Sequence, residues 1–388
     1  MKNHEGNRMK AKRLFFIIGE LLLVLSIAGC SLSSSKVIDN VPETADPYFI
    51  GEKVVERYLS KSFMSGGGVD ASSGKITFKE VYAWLGAIEF SENCSNEEML
   101  QALQQRFYPL LGSKKQLVPN SGLMEDSGFG ALPLQLFLNS DNDCFFYLGI
   151  DYADQQWKLP SGIELSKRSL DCADEGLSWQ SRFTTADMFV VSVLQSNAFL
   201  SSGDEKYLNR AAYQMAAYID SLQQTDGLFF HSPDTPFYWC RANGWMASAM
   251  TQLLKVLPES NIHHPKILAA YLKIMTALEK NRNEEGLWNQ LIDQKDSWTE
   301  TSGSAMFIYA IVSGLKHGWL EKDTFRPLVK KSWVSLISYL NENGGLRNVC
   351  QETNDGIFRE NFPERTDRSV NLIGQATILW CAAAFVEE

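Results

Sequence analysis

The sequence predicts an all-α fold, an (α/α)6 barrel of six helical hairpins. Three observations carry this expectation. A glycine followed by a large residue recurs six times. Two segments of helical periodicity fill each interval, and strand-like segments are few. The glycine pairs are Gly74-Lys75, Gly122-Leu123, Gly176-Leu177, Gly227-Leu228, Gly286-Leu287 and Gly345-Leu346, at spacings of 48, 54, 51, 59 and 59 residues. Repeats of that length are the mark of stacked supersecondary units.

The helices follow in order from apolar residues at i, i+3, i+4 spacing. One is expected over 47–63, before the first glycine. Successive pairs are expected over 78–91 and 96–110, 129–139 and 143–157, 183–201 and 204–223, 242–257 and 265–281, and 301–318 and 323–342. A last helix over 369–386 pairs with the first and closes a ring of twelve. "GLFFHS" and "GLWNQL" are short β-like pieces beside loops. An open α-solenoid is the competing architecture. It has no need of the long loop after each glycine, and the barrel is preferred for that reason.

Ahead of the barrel stands an address. Lys2, Arg8, Lys10, Lys12 and Arg13 precede an apolar run, Leu14 to Ala28, that ends in Ile27-Ala28-Gly29-Cys30. This is the pattern of a lipoprotein signal peptide over 1–29, with Cys30 as the lipidated residue. The run is short for a membrane span and carries Glu20. Residues 30–45 are the lipidated cysteine and a serine-rich tether, and 46–388 are one barrel domain. The expected location is the bacterial cell envelope, held by lipid alone. If the host is Gram-negative, Ser31 after Cys30 favours the outer membrane, facing the periplasm. Cleavage leaves 31 basic and 44 acidic residues, a net charge of about −13. With no basic run, nucleic acid is excluded as a partner. The six remaining cysteines form no CxxC pair and no His/Cys cluster of metal-ligand spacing, so no metal site is expected.

The loops after the glycines occupy one place in the repeat and so converge on one rim of a closed barrel. Five of the ten tryptophans lie there: Trp179, Trp239, Trp245, Trp288 and Trp298. Aromatic faces beside Arg, Asp, Asn and His suit a polar ring-shaped ligand. Plugging the barrel end is the alternative use for those aromatics. Arg241, between Trp239 and Trp245 at a helix start, suits a carboxylate; an ion pair with Asp234 competes with that role. His231 is either a ligand contact or a hydrogen-bonded loop residue. Asp126 is either an acid of the site or a helix N-cap, and Thr301 or Ser302 is a capping candidate. Asp187 is the one acid in "SRFTTADMFVVSVLQ", where burying an unpaired carboxylate would be costly.

The rim segments "DGLFFHSPDTPFYWCRANGWMASAM" and "EGLWNQLIDQKDSWTETSGSAMFIYAIVSGLKHGWL", together with "EDSGFGALPLQLF", "YADQQW" and "GQATILWCAAAF", resemble the unsaturated rhamnogalacturonyl and glucuronyl hydrolases of glycoside hydrolase families 105 and 88. The likeness runs over roughly residues 45–386. It implies the same barrel. It also implies a substrate: an oligosaccharide ending in a Δ4,5-unsaturated uronic acid left by a polysaccharide lyase. A carboxylic acid protonates C4 of the vinyl ether, the same carboxylate helps water add at C5, and the aglycone leaves without any cofactor. The resemblance places Asp126 at the family's first active-site acid. His231, Arg241 and Trp245 match sugar-contacting positions, Trp239 lines the same pocket, and Trp288 joins the expected substrate-binding set. One segment departs. The family reads Trp-x-Asp-x-(Leu/Met)-(Phe/Tyr)-Met, which puts Ala186 at the usual catalytic acid, Asp187 one residue later and Thr184 at the usual aromatic. Asp187 and Asp126 are then the two expected catalytic acids. The competing reading is a degenerate, non-catalytic glycan-binding lipoprotein on the same fold.

Overall fold

The computed structural model describes residues 37–63, 67–350 and 371–387. The signal segment, Cys30 and the rim stretch 351–370 lie outside the described residues. Fourteen α-helices are described: α1 (Pro47–Leu59), α2 (Phe78–Asn93), α3 (Glu97–Phe107), α4 (Met124–Ser127), α5 (Ala131–Ser140), α6 (Asp143–Gln155), α7 (Lys167–Asp174), α8 (Thr185–Ser202), α9 (Lys206–Leu222), α10 (Cys240–Leu254), α11 (His264–Lys280), α12 (Thr301–Lys316), α13 (Lys322–Ile337) and α14 (Leu372–Val386). All twelve expected helices are present within a few residues of their expected ends. The one-turn α4 and the two-turn α7 were not expected. Both are too short to show helical periodicity. The β-like pieces contribute isolated bridges, Gln223 with Phe229 and Asn289 with Thr299.

Six helices form a closed inner ring. α2 packs on α5, α5 on α8, α8 on α10, α10 on α12, α12 on α14, and α14 returns to α2. Their composition explains the position: α14 and α12 are buried along nearly their whole length, whereas outer α9 and α13 bury one face only. A helix apolar on all sides must be enclosed, and an amphipathic one must cover it. α1 packs against α14, which closes the outer layer as expected.

The repeat motif has a specific job. Gly176, Gly227, Gly286 and Gly344 have φ of +80°, +96°, +86° and +69°, a region that disfavours side chains. The last of these corrects the register: Gly344, not Gly345, takes the left-handed turn. Gly122 does not share the left-handed φ. Four residues beyond each of the last three glycines, a carbonyl accepts the first N–H of an inner helix. Thr185 N donates to His231 O (3.1 Å), Cys240 N to Gln290 O (2.9 Å) and Thr301 N to Asn348 O (3.0 Å). A free N–H at a helix start is thus satisfied by the next repeat, and successive rim loops are tied together.

All inner helices begin at this rim, so their positive dipole ends meet there and their negative ends meet at the opposite end. Lys255, just beyond α10, sits at that far end between Glu89 of α2 (3.5 Å) and Glu387 beyond α14 (3.0 Å). α2 and α10 are opposite members of the ring, so this ion triad crosses the barrel. Among the described residues no helix is long and apolar enough to cross a membrane.

Candidate functional site

The floor of the mouth is aromatic. Tyr82 of α2, Phe189 of α8, Trp245 of α10 and Trp380 of α14 meet there, with ring centroids 4.9 Å apart for Tyr82–Phe189, 5.0 Å for Phe189–Trp245 and 4.7 Å for Phe189–Trp380. Each comes from a different inner helix, so only closure of the ring brings them together. Burial raises the Tyr82 hydroxyl far above its ordinary pKa, with the charge of Glu125 adding to the effect. It remains a neutral O–H donor.

Above the floor, Arg241 occupies the first turn of α10 and is only 4% exposed. Its guanidinium lies 4.6 Å over the Trp239 ring and donates to the Cys350 carbonyl. The Cys350 N–H in turn donates to Glu300 (3.1 Å), the N-cap of α12. Glu300, not Thr301 or Ser302, is therefore the cap, and it accepts from Ser302 N (3.1 Å) and Gly303 N (2.6 Å). Asp234 pairs at 4.0 Å with Arg168 of α7. A stacked guanidinium at a helix N-terminus is preorganised for a planar anion.

His231 meets the edge of Trp239, with centroids 5.2 Å apart, and its Nδ1 lies 3.4 Å from Thr185 Oγ1. Burial lowers its pKa to about 4; Asp187 opposes that shift, while Arg241 and Arg182 reinforce it. The imidazole is neutral at neutral pH, which suits it to hydrogen-bond a hydroxyl rather than to donate a proton in acid catalysis.

Asp187 has a different setting from the one expected of a proton donor. It is 0% exposed. Six donors surround its two oxygens: Arg182 Nε (3.0 Å), Nη2 (2.5 Å) and N (2.8 Å), Thr184 Oγ1 (3.0 Å) and N (3.4 Å), and Tyr218 Oη (2.8 Å). A carboxylate so enclosed has no oxygen turned to a ligand. Its burial is justified by pairing, and the setting is that of a structural carboxylate. The preceding Phe183 is held at φ +59° and stacked on Tyr218 at 4.6 Å, so the backbone is forced to present Arg182. Ala186 is half-buried against the core.

Trp288 also departs from expectation. It is fully buried, donates to Leu278 O at 2.9 Å and packs edge-on against Phe307 at 5.0 Å. It stands two residues beyond Gly286, where the chain turns into the wall between α11 and α12. Trp179 is likewise a core residue, donating to Gln155 O at 2.8 Å.

Asp126 sits in α4, whose N-cap is Leu123, so it is not a capping residue. It is half-buried, and no described residue donates to its carboxylate. Burial and then the charge of neighbouring Glu125 push its pKa up, against a smaller opposing effect of Lys75. Glu125, which the sequence reading passed over, ion-pairs with Arg182 Nη1. Arg182 was missed for the same reason: nothing in local sequence links it to an acid 57 residues away.

The family profile described as Glycosyl Hydrolase Family 88 matches residues 187–387, just over half of the chain. The chain is 29% identical over 160 residues to the unsaturated rhamnogalacturonyl hydrolase YesR of Bacillus subtilis, covering 38% of this chain and 44% of that protein. It is 26% identical over 113 residues to an unsaturated 3S-rhamnoglycuronyl hydrolase of Formosa agariphila, covering 29% and 30%. The matched stretches thus span less than half the length of these curated relatives. A crystal structure of a possible family 105 member from Salmonella enterica aligns with a TM-score of 0.75 at 16% identity, covering 89% of this chain and 96% of that one. That likeness supports the barrel.

Proposed function

Because the chain belongs to glycosyl hydrolase family 88, we propose that it removes a Δ4,5-unsaturated uronic acid from the non-reducing end of lyase-generated oligosaccharides. The observation that carries this reading is Asp126. Among the described residues nothing donates to this half-buried carboxyl, and its raised pKa favours the protonated form that the first step needs.

The residues divide the task as follows. Arg241 and the converging helix N-termini hold the uronate carboxylate. Neutral His231 hydrogen-bonds a ring hydroxyl, while Trp239 and Trp245 flank and underlie the sugar. Asp126 protonates C4, positive charge develops at C5, and water adds there. The resulting hemiketal opens to a ketone, and C1 releases the aglycone. Protonation occurs on carbon, so the carboxylate separations of ordinary glycosidases do not govern this site.

The test is turnover of a panel of unsaturated disaccharides from pectic, glycosaminoglycan and ulvan-type polysaccharides. Loss of the ultraviolet absorbance of the conjugated enoate is the expected result. Calorimetric binding without that loss would establish the glycan-binding reading instead.

We further propose that the mature protein begins at a lipidated Cys30 and is tethered to the cell envelope by residues 30–45, with the outer membrane facing the periplasm as its site in a Gram-negative host. The basic n-region, short apolar run and small residues before Cys30 support this. Labelled palmitate is expected to enter the wild-type chain and not Cys30→Ser; equal labelling of both would refute it.

A further inference from the structure

The family resemblance places the usual catalytic acid at Ala186, and Asp187 is enclosed by its six donors. A line of charge nevertheless leads from the core to the mouth. Tyr218 donates to Asp187, Asp187 holds two nitrogens of Arg182, and Arg182 Nη1 reaches Glu125. Asp187 is wholly buried, whereas the side chains of Arg182 and Glu125 are 39% and 38% exposed. Glu125 Oε1 is fixed by Arg182, and no described residue donates to Oε2. The carboxylate is thus anchored by one oxygen on a part-exposed side chain. Glu125 and Asp126 are consecutive in the single turn α4, and their side chains diverge by about 100°. Among the described residues one is ion-paired and the other is not.

We propose that Glu125 is the base that activates water in this site and that Arg182 positions it. The inference rests on the hydrolase reading above. It splits between two neighbouring residues what one acid does in the mechanism implied by the family. Asp126 loses its proton as the π electrons of C4=C5 form the new C4–H bond. The water oxygen then bonds to the cationic C5 while its proton passes to the Glu125 carboxylate. Ring opening and release of the aglycone follow, and solvent returns the proton from Glu125 to Asp126. No oxidant, reductant or further reactant is needed. On this account buried Asp187 serves the chemistry indirectly, by holding Arg182.

The experiment compares the wild type, Glu125→Gln and Glu125→Ala on the best unsaturated disaccharide of the panel. Circular dichroism confirms that each is folded. Glu125→Gln is expected to lower kcat by about 100-fold or more with KM little changed. Added formate, a small carboxylate, is expected to restore part of the kcat of Glu125→Ala. An active wild type with an equally active Glu125→Gln would overturn the base assignment while leaving the hydrolase reading intact. A folded Glu125→Ala that formate does not rescue would reduce Glu125 to a structural partner of Arg182. A wild type without turnover on any member of the panel would overturn both readings.

Discussion

Asp126→Asn is expected to lower kcat by about 100-fold to 10,000-fold, the range in which a positioned general acid contributes. Stability is expected to stay close to that of the wild type. No described residue donates to the Asp126 carboxylate, so exchanging it for an amide breaks no ion pair and leaves no donor unpaired. The pH dependence has a definite sign. Asp126 must carry its proton to act, and burial together with Glu125 raises its pKa. The Asp126 requirement is therefore met below that raised value and lost as pH rises through it. This gives an alkaline limb in kcat/KM that Asp126→Asn lacks. Steady-state kinetics across pH, with urea unfolding of the same samples, checks both parts. Wild-type kcat in a folded Asp126→Asn would remove Asp126 from the chemistry.

Asp187→Ala is expected to act in the opposite way, through stability. The substitution leaves the Arg182 guanidinium without its buried partner and the Tyr218 hydroxyl without an acceptor. Removing one member of a buried pair costs about 3–5 kcal/mol. Arg182 is part-exposed and can recover some hydration, which puts the expected loss near 3 kcal/mol. Urea unfolding of wild type and variant measures it. Activity should fall too, because Arg182 is released from the mouth, but together with the loss of stability. If Asp187→Ala unfolds like the wild type and only kcat collapses, Asp187 is the proton donor after all.

The two acids were treated alike by sequence reasoning, and the reason is instructive. Both stand near helix starts beside rim loops. What separates them is the donors around each one. Arg182 and Thr184 are close to Asp187 in the chain, but Tyr218 arrives from α9 and Glu125 from α4. The same limit applies to Trp288. A tryptophan two residues after a rim glycine looks like a sugar platform until the wall between α11 and α12 closes over it. The four-ring floor was equally hidden, because its members are scattered from Tyr82 to Trp380.

The sequence by itself determined the number of hairpins, the place of nearly every helix and the end of the barrel where the glycine loops gather. Those properties depend on local periodicity and on a glycine that must take positive φ, and both are written in neighbouring residues. Tertiary structure decided which carboxyl is buried and paired, which is free to hold a proton, and which glycine of the pair Gly344-Gly345 makes the turn. It also joined Glu125 to Arg182. A polar atom buried in a ring of helices is satisfied by whatever the adjacent helices bring to it. Its chemical role is therefore fixed only when the ring is closed.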